Sequence, residues 1–277
     1  MSARPDGRAM PGDMPRLGIG TWQNTDPEAC ANAVATALDV GYRHVDTAQA
    51  YGNEEHVGEG IARADIPRDD LFVATKVHPR EMGLGHEEVV AGAEESLERL
   101  GIDTLDLLYV HWPVGDYDPA ETLGAFDELI DRGLIEHVGL SNFTPALLTE
   151  AQDHLDHEVF AHQVEMHPLF RQRELHERAV EDDHWLVAYS PLARGQVFET
   201  PEVRQVADRH QVSEAVVTLA WLLSLENVAA IPKATSEAHI EENYEALSFD
   251  LDESDARRFE LLPREERLVE IPGAPWQ

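Results

Sequence analysis

Lysine is almost missing from this 277-residue chain: Lys76 and Lys233 are the only two, beside 19 arginines and 54 acidic residues. Each closes or nearly closes a short apolar run, Phe72 to Val77 and Val228 to Lys233. Their survival where every other lysine is gone marks them as candidates for chemistry. Cysteine is scarcer still, and the lone Cys30 excludes an internal disulfide and a thiolate metal cluster. It reads as a small buried apolar residue. No apolar stretch approaches the ~20 residues that span a bilayer, and the N-terminus lacks the apolar core of a signal peptide. The expected setting is soluble and cytoplasmic, with no membrane partner.

Positive charge is also short, leaving a formal net charge of -33. Solubility asks only a few units of a small domain. Such a surface repels itself at low salt, whereas near 1 M salt the Debye length falls to about 3 Å and the repulsion is screened. The acids are interleaved with apolar residues rather than gathered in a tail, which favours a salt-adapted globular protein over a disordered acidic segment. The same charge excludes a nucleic-acid partner.

After an irregular N-terminal segment over residues 1–13, short apolar runs alternate with segments of helical period. Strands are predicted at Leu17 to Gly20, Tyr42 to Val45, Leu71 to Thr75, Leu105 to Val110, Ile135 to Leu140, Val159 to Val164, Trp185 to Ala188 and Val228 to Ile231. Helical faces lie between them, as in Val90, Ala93, Leu97 and Leu100, or Leu123, Phe126 and Ile130. Ser213 reads as the N-cap of an apolar helix that follows it. Eight such units close most naturally into a single (β/α)8 barrel over 14–277, including a C-terminal tail. The alternative is an open doubly wound sheet, but Gly18-Ile19-Gly20-Thr21-Trp22-Gln23 lacks the third glycine of a dinucleotide fingerprint.

Barrel active sites gather at the C-terminal ends of strands. There the sequence places Asp46 and Tyr51 after the second strand, Lys76 at the end of the third and His111 after the fourth. Singly, these could be a turn residue, a packing aromatic, a solvated strand end and a core histidine. Together they suit proton donation to a carbonyl oxygen. A free tyrosine has a pKa of about 10 and donates poorly unless a cation favours the phenolate. Lys76 can be that cation, Asp46 can hold it, and His111 can orient the substrate oxygen.

Gly41-Tyr42-Arg43-His44-Val45-Asp46-Thr47-Ala48, Tyr51-Gly52-Asn53-Glu54-Glu55, Asp106-Leu107-Leu108-Tyr109-Val110-His111-Trp112-Pro113 and Ile231-Pro232-Lys233 resemble the signatures of the aldo-keto reductases, in the family's order. The resemblance covers the chain from Met14 onward. It implies a barrel that reduces aldehydes or ketones with NADP(H) or NAD(H), with Asp46, Tyr51, Lys76 and His111 as catalytic residues and no metal. It also implies that Ser141, Asn142 and Gln163 hold the nicotinamide amide, that Tyr189 stacks on the ring, and that Ser190, Leu192 and Gly195 surround the pyrophosphate. Thr21, Lys233, Thr235, His239, Glu242 and Asn243 complete the implied cofactor set.

One departure concerns cofactor choice. Where the family commonly carries an arginine for the 2'-phosphate, this chain has His239, which is largely uncharged near neutral pH and lacks the bidentate fork. Trp22 and Trp112, with Trp276 in the tail, are candidate walls for a small carbonyl substrate. The short segment from Val114 to Asp118 predicts a cleft open on that side, as in compact microbial members of the diketogluconate reductase type. A monomer is expected. The alternative function is a non-catalytic nicotinamide-sensing regulatory subunit of the same fold. An unrelated barrel hydrolase or isomerase would need an acid pair or metal cluster, and only Asp46 stands at the strand ends.

Overall fold

The computed structural model describes residues 14–277; the segment expected over 1–13 lies outside them. Eight parallel strands follow one another around a single sheet in chain order: β1 (Gly18–Gly20), β2 (His44–Asp46), β3 (Phe72–Val77), β4 (Leu105–Val110), β5 (Ile135–Ser141), β6 (Val159–Glu165), β7 (Trp185–Tyr189) and β8 (Val228–Ala230). Bridges from Leu17 to Ala230 and from Gly20 to Lys233 bring the first strand to the last. The architecture is the expected (β/α)8 barrel. Strand ends differ from the sequence reading by one or two residues, so that Lys76 sits inside β3 rather than at its end.

Helices return the chain between strands: α1 (Pro27–Val40), α2 (Glu54–Arg63), α3 (His86–Leu100), α4 (Pro119–Asp131), α5 (Pro145–His154), α6 (Arg173–Glu181), α7 (Pro201–His210), α8 (Glu214–Ser224), α9 (Glu237–Glu245) and α10 (Glu253–Glu260). Several starts are written into the sequence as a polar cap before proline. Asp26-Pro27, Asp118-Pro119 and Thr144-Pro145 open α1, α4 and α5, each cap side chain accepting a first-turn N–H. Such a cap contributes about 1 kcal/mol, and proline at the first position has no N–H to waste. Ser213 caps α8 as anticipated. The extra helix α7 before α8 was not anticipated, nor was α10, which precedes the tail.

Period-two alternation builds the site. Phe72, Ala74, Leu107, Tyr109, Ala161, Trp185, Val187 and Ala229 fill the barrel interior, and their neighbours of opposite parity face the helices in the larger outer core. Continuing the inward series upward reaches Lys76, His111, Gln163, Tyr189 and Lys233. The chemistry-bearing residues are therefore the top layer of the same ladders whose lower layers are apolar packing. Gly139 permits this packing. A Cβ there would fall 2.3 Å from a ring carbon of Tyr109.

Candidate active site

At the C-terminal ends of the strands lies a cavity of about 430 Å³ lined by Thr21, Trp22, Asp46, Tyr51, His111, Trp112, Tyr189, Ser190, Lys233 and others. Beneath it, Lys76 is fully buried, with its ammonium 2.5 Å from Asp46 Oδ1 and donating to Thr47 O at 2.7 Å. Asp46 Oδ2 accepts from Gln163 Nε2 at 2.7 Å. The Lys76 ammonium also lies 5.4 Å from the centre of the Tyr51 ring. Tyr51 stands edge-on to His111, with ring centres 5.7 Å apart. A one-turn segment, Gln49–Tyr51, presents this phenol.

Burial, then the Asp46 charge and Tyr189, push the Tyr51 phenol well above its ordinary value of 10. From the sequence, Lys76 was expected to pull it down. The shift runs the other way, because Asp46 pairs directly with the ammonium and opposes its pull, so burial dominates. Burial first, then Lys76 and His78, hold His111 well below 6.5, leaving its imidazole neutral at physiological pH. Burial likewise lowers the Lys76 ammonium from 10.5, opposed by Asp46.

The expected cofactor residues divide into two groups. Thr21, Tyr189, Ser190 and Lys233 line the cavity. Ser141 and Gln163 sit side by side where β5 pairs with β6. Asn142, in the left-handed region at φ 65°, accepts from the Tyr189 hydroxyl at 2.8 Å and donates to His111 O at 3.0 Å. Gln163 is turned toward Asp46, which ties it to the buried ion pair. Leu192, Gly195, Thr235, His239, Glu242 and Asn243 do not line the cavity. Thr235 and His239 are exposed at the start of α9, where the Ser236 hydroxyl accepts the His239 N–H at 3.3 Å. Asn243 is buried within that helix.

Two cavity residues, His78 and Arg194, were not among those expected from the sequence. His78 lines the cavity and packs 5.1 Å from the His111 ring. Its signal was available, because it continues the inward alternation two residues past Lys76. Arg194 also lines the cavity and lies 5.0 Å over the Trp22 ring. It belongs to a loop in which Ser190, Ala193 and Arg194 all have φ near 50°, a costly backbone of the kind that collects at binding sites. The tail, for which the resemblance implies a part in specificity, brings Val269, Glu270 and Ile271 to the cavity wall.

Glu165 at the end of β6 fixes that tail. Its fully buried carboxylate accepts the backbone N–H groups of Leu268 at 2.8 Å and Val269 at 2.9 Å, and meets His167 Nε2 at 3.0 Å. Trp276 then packs 5.6 Å from Trp112, with the Arg267 guanidinium 3.5 Å above its ring. The three tryptophans thus have different parts: Trp22 and Trp112 line the cavity, and Trp276 backs Trp112. Away from the site, His210, Asp252 and Asp255 form a grouping with metal-ligand spacing. Asp255 is already engaged by Arg209, His210 and Arg258, so its charge is neutralised. Among the described residues no helix is long and apolar enough to cross a membrane.

Comparison with known proteins agrees with this architecture. The Aldo/keto reductase family profile matches residues 16–262. The chain is 36% identical over 260 residues to the glyoxal reductase of Bacillus subtilis strain 168, spanning 94% of this chain and 93% of that one. It is 36% identical to a 9,11-endoperoxide prostaglandin H2 reductase of Trypanosoma cruzi, over 92% of this chain and 90% of the relative. An aldo-keto reductase crystal structure from a Medee basin deep-sea metagenome library superposes with a TM-score of 0.88 at 30% identity, covering 96% of each chain. With its barrel, its strand-end cavity and the matched profile together, this chain belongs to the aldo/keto reductase family and is an oxidoreductase.

Proposed function

We propose that this protein reduces small aldehydes or ketones to alcohols with NAD(P)H, and that Tyr51 gives the proton. The observation that carries the reading is the Tyr51 phenol, held protonated beside a neutral His111 and above the buried Lys76–Asp46 pair. Carbonyl reduction needs a hydride at carbon and a proton at oxygen; the dihydronicotinamide, when bound, supplies the hydride. His111 orients the carbonyl oxygen toward the phenol. As negative charge develops on that oxygen the proton leaves Tyr51, and the Lys76 ammonium, although shared with Asp46, is the positive charge that faces the phenolate that results. Water from solvent can then restore the proton.

The residues present fit such a cofactor. Tyr189 offers a ring for stacking, while Ser190, Arg194 and Lys233 bring one hydroxyl and two cations to the same cleft, as a phosphate-bearing ligand requires. These cations are conspicuous in a chain of net charge -33. Ser141, Asn142 and Gln163, at the adjoining ends of β5 and β6, would meet the amide of the nicotinamide, with Gln163 turning from Asp46 to do so. Leu192, Gly195, Thr235, His239, Glu242 and Asn243 would serve the pyrophosphate and adenosine end, outside the substrate cavity.

The test is Tyr51→Phe, assayed by absorbance at 340 nm with NADPH, NADH and a panel of carbonyls. General acid catalysis contributes typically 10²-fold to 10⁴-fold, so turnover should fall by at least that order, with cofactor binding by fluorescence titration little changed. Near-normal turnover would reject Tyr51 as the donor. A wild-type protein that binds the cofactor but oxidises none of it would favour the regulatory alternative.

A further inference from the structure

We infer that His78 is a specificity-determining residue, which reads a second oxygen on the carbon next to the carbonyl and so favours vicinally oxygenated substrates. The inference rests on the carbonyl-reductase reading above and narrows its substrate class.

His78 follows β3 directly, and its inward parity with Lys76 brings the imidazole to the cavity wall beside His111. Its backbone is held, because His78 N donates to Gln49 Oε1 at 3.3 Å. Its ring is held too. The Arg80 N–H donates to His78 Nδ1 at 3.1 Å, which makes Nδ1 the acceptor nitrogen. A neutral imidazole that accepts at Nδ1 carries its proton on Nε2. Burial lowers the pKa of this histidine, opposed by Glu81 and assisted by Arg80, so the neutral form is the one present near pH 7. No described residue bonds to Nε2. His78 thus presents a fixed donor with no protein acceptor.

The spacing suits two oxygens on adjacent carbons. Bond lengths of about 1.2 Å for C=O and about 1.5 Å for C–C place such oxygens about 3 Å apart. Imidazoles whose centres are 5.1 Å apart can each reach one of them at ordinary hydrogen-bond length. With the first oxygen between Tyr51 and His111, the second falls to His78. Of the other lining residues, Ser190, Arg194 and Lys233 are those assigned above to the cofactor, while Trp22, Trp112, Ile231, Val269 and Ile271 offer apolar surface. A carbonyl without the second oxygen leaves the Nε2–H unpaired once water is expelled, and sites built to hydrogen-bond a substrate group discriminate against analogues that lack it.

The experiment compares kcat/KM for 2-oxopropanal and propanal, and for hydroxyacetone and butanone, in wild type, His78→Phe and His78→Asn. Phenylalanine keeps a ring and removes both nitrogens. Asparagine keeps an acceptor for the Arg80 N–H and removes the Nε2 donor, which covers the case in which the phenylalanine variant does not fold. Wild type should prefer the oxygenated member of each pair, and the ratio within each pair should fall about tenfold in the variants, mainly through KM. An unchanged ratio in a folded variant overturns the role of His78. Failure of wild type to reduce any of the four carbonyls with either nicotinamide would instead reject the carbonyl-reductase reading and this inference with it.

Discussion

The Lys76 ammonium and the Asp46 carboxylate meet at 2.5 Å, with the lysine side chain fully out of reach of solvent and the aspartate almost so. Removing one partner of such a pair strands the other, at about 3 to 5 kcal/mol, whereas replacing both by apolar groups can be nearly neutral. We expect Lys76→Met to lower stability by about that amount, and Asp46→Leu with Lys76→Met to recover part of it, although neither should turn over. Urea unfolding in molar salt measures both. A double variant less stable than the single one would mean that the Asp46 bond to Gln163 matters more than the ion pair.

The two lysines differ sharply in access. Lys76 is fully buried, and Lys233 is exposed. An amine-acetylating reagent should modify Lys233 and the α-amino group of the native protein. Lys76 should react only in opened molecules, slower by a factor on the order of 10³ or more. Peptide mass mapping over time reads this directly. Acetylated Lys233 should weaken cofactor binding and lose the charge that methylation would keep. Comparable rates at the two lysines would contradict the burial.

His239 bears on cofactor choice. It is exposed in the first turn of α9, and the neighbouring Ser236 hydroxyl is taken by the helix cap. We expect measurable activity with NADH, and an increase in NADPH affinity of roughly tenfold on His239→Arg at low salt, diminishing as salt rises. Strict NADPH dependence that ignores this substitution would show that other groups hold the phosphate.

Two buried histidines on the helix-facing side should add to the acid sensitivity that His111 brings to the site. Burial holds His184 down to about 4, and burial with His184 holds His162 down to about 3. Both values lie below the ordinary 6.5, so on acidification the unfolded chain takes up protons first. Stability is complete above about pH 6.5 and is lost as pH falls toward 4 and then 3, by at most about 1.4 kcal/mol per pH unit for each proton. Thermal unfolding in 2 M KCl between pH 7 and 5 should show this slope, and His184→Gln should make it shallower. An identical slope in the variant would place the acid sensitivity elsewhere.

On the reading that the -33 charge reflects salt adaptation, the midpoint of thermal unfolding should rise between about 0.1 M and 2 M KCl as self-repulsion is screened. A midpoint that stays flat over that range would leave the charge unexplained.

Much of the barrel was legible because parallel strands buried on both faces leave continuous apolar runs such as Leu105 to Val110, and because apolar residues recur at helical spacing between them, as after the Ser213 cap. Asp46, Tyr51, Lys76 and His111 were legible for a related reason: they stand where apolar runs end. His78 was equally accessible to a period-two argument, since it continues the alternation of Ala74 and Lys76 beyond the apolar run. The tail was not accessible in that way. Glu165 grips Leu268 and Val269 across more than a hundred residues of chain, and no local pattern announces a contact to backbone. Nor could residue spacing reveal the proton affinity of Tyr51, which follows from how completely the folded chain excludes water around it.

The Glu165 grip has a further consequence. It holds the tail by main-chain N–H groups, which every residue except proline possesses, and so it is indifferent to the side chains it carries. Val269 and Ile271 can therefore be exchanged while the segment stays anchored, whereas Glu270 also accepts the Trp276 indole N–H at 3.0 Å; the two apolar positions are a replaceable panel in the cavity wall. Substrate range could be redesigned there with the ion pair, the phenol and the barrel left as they are.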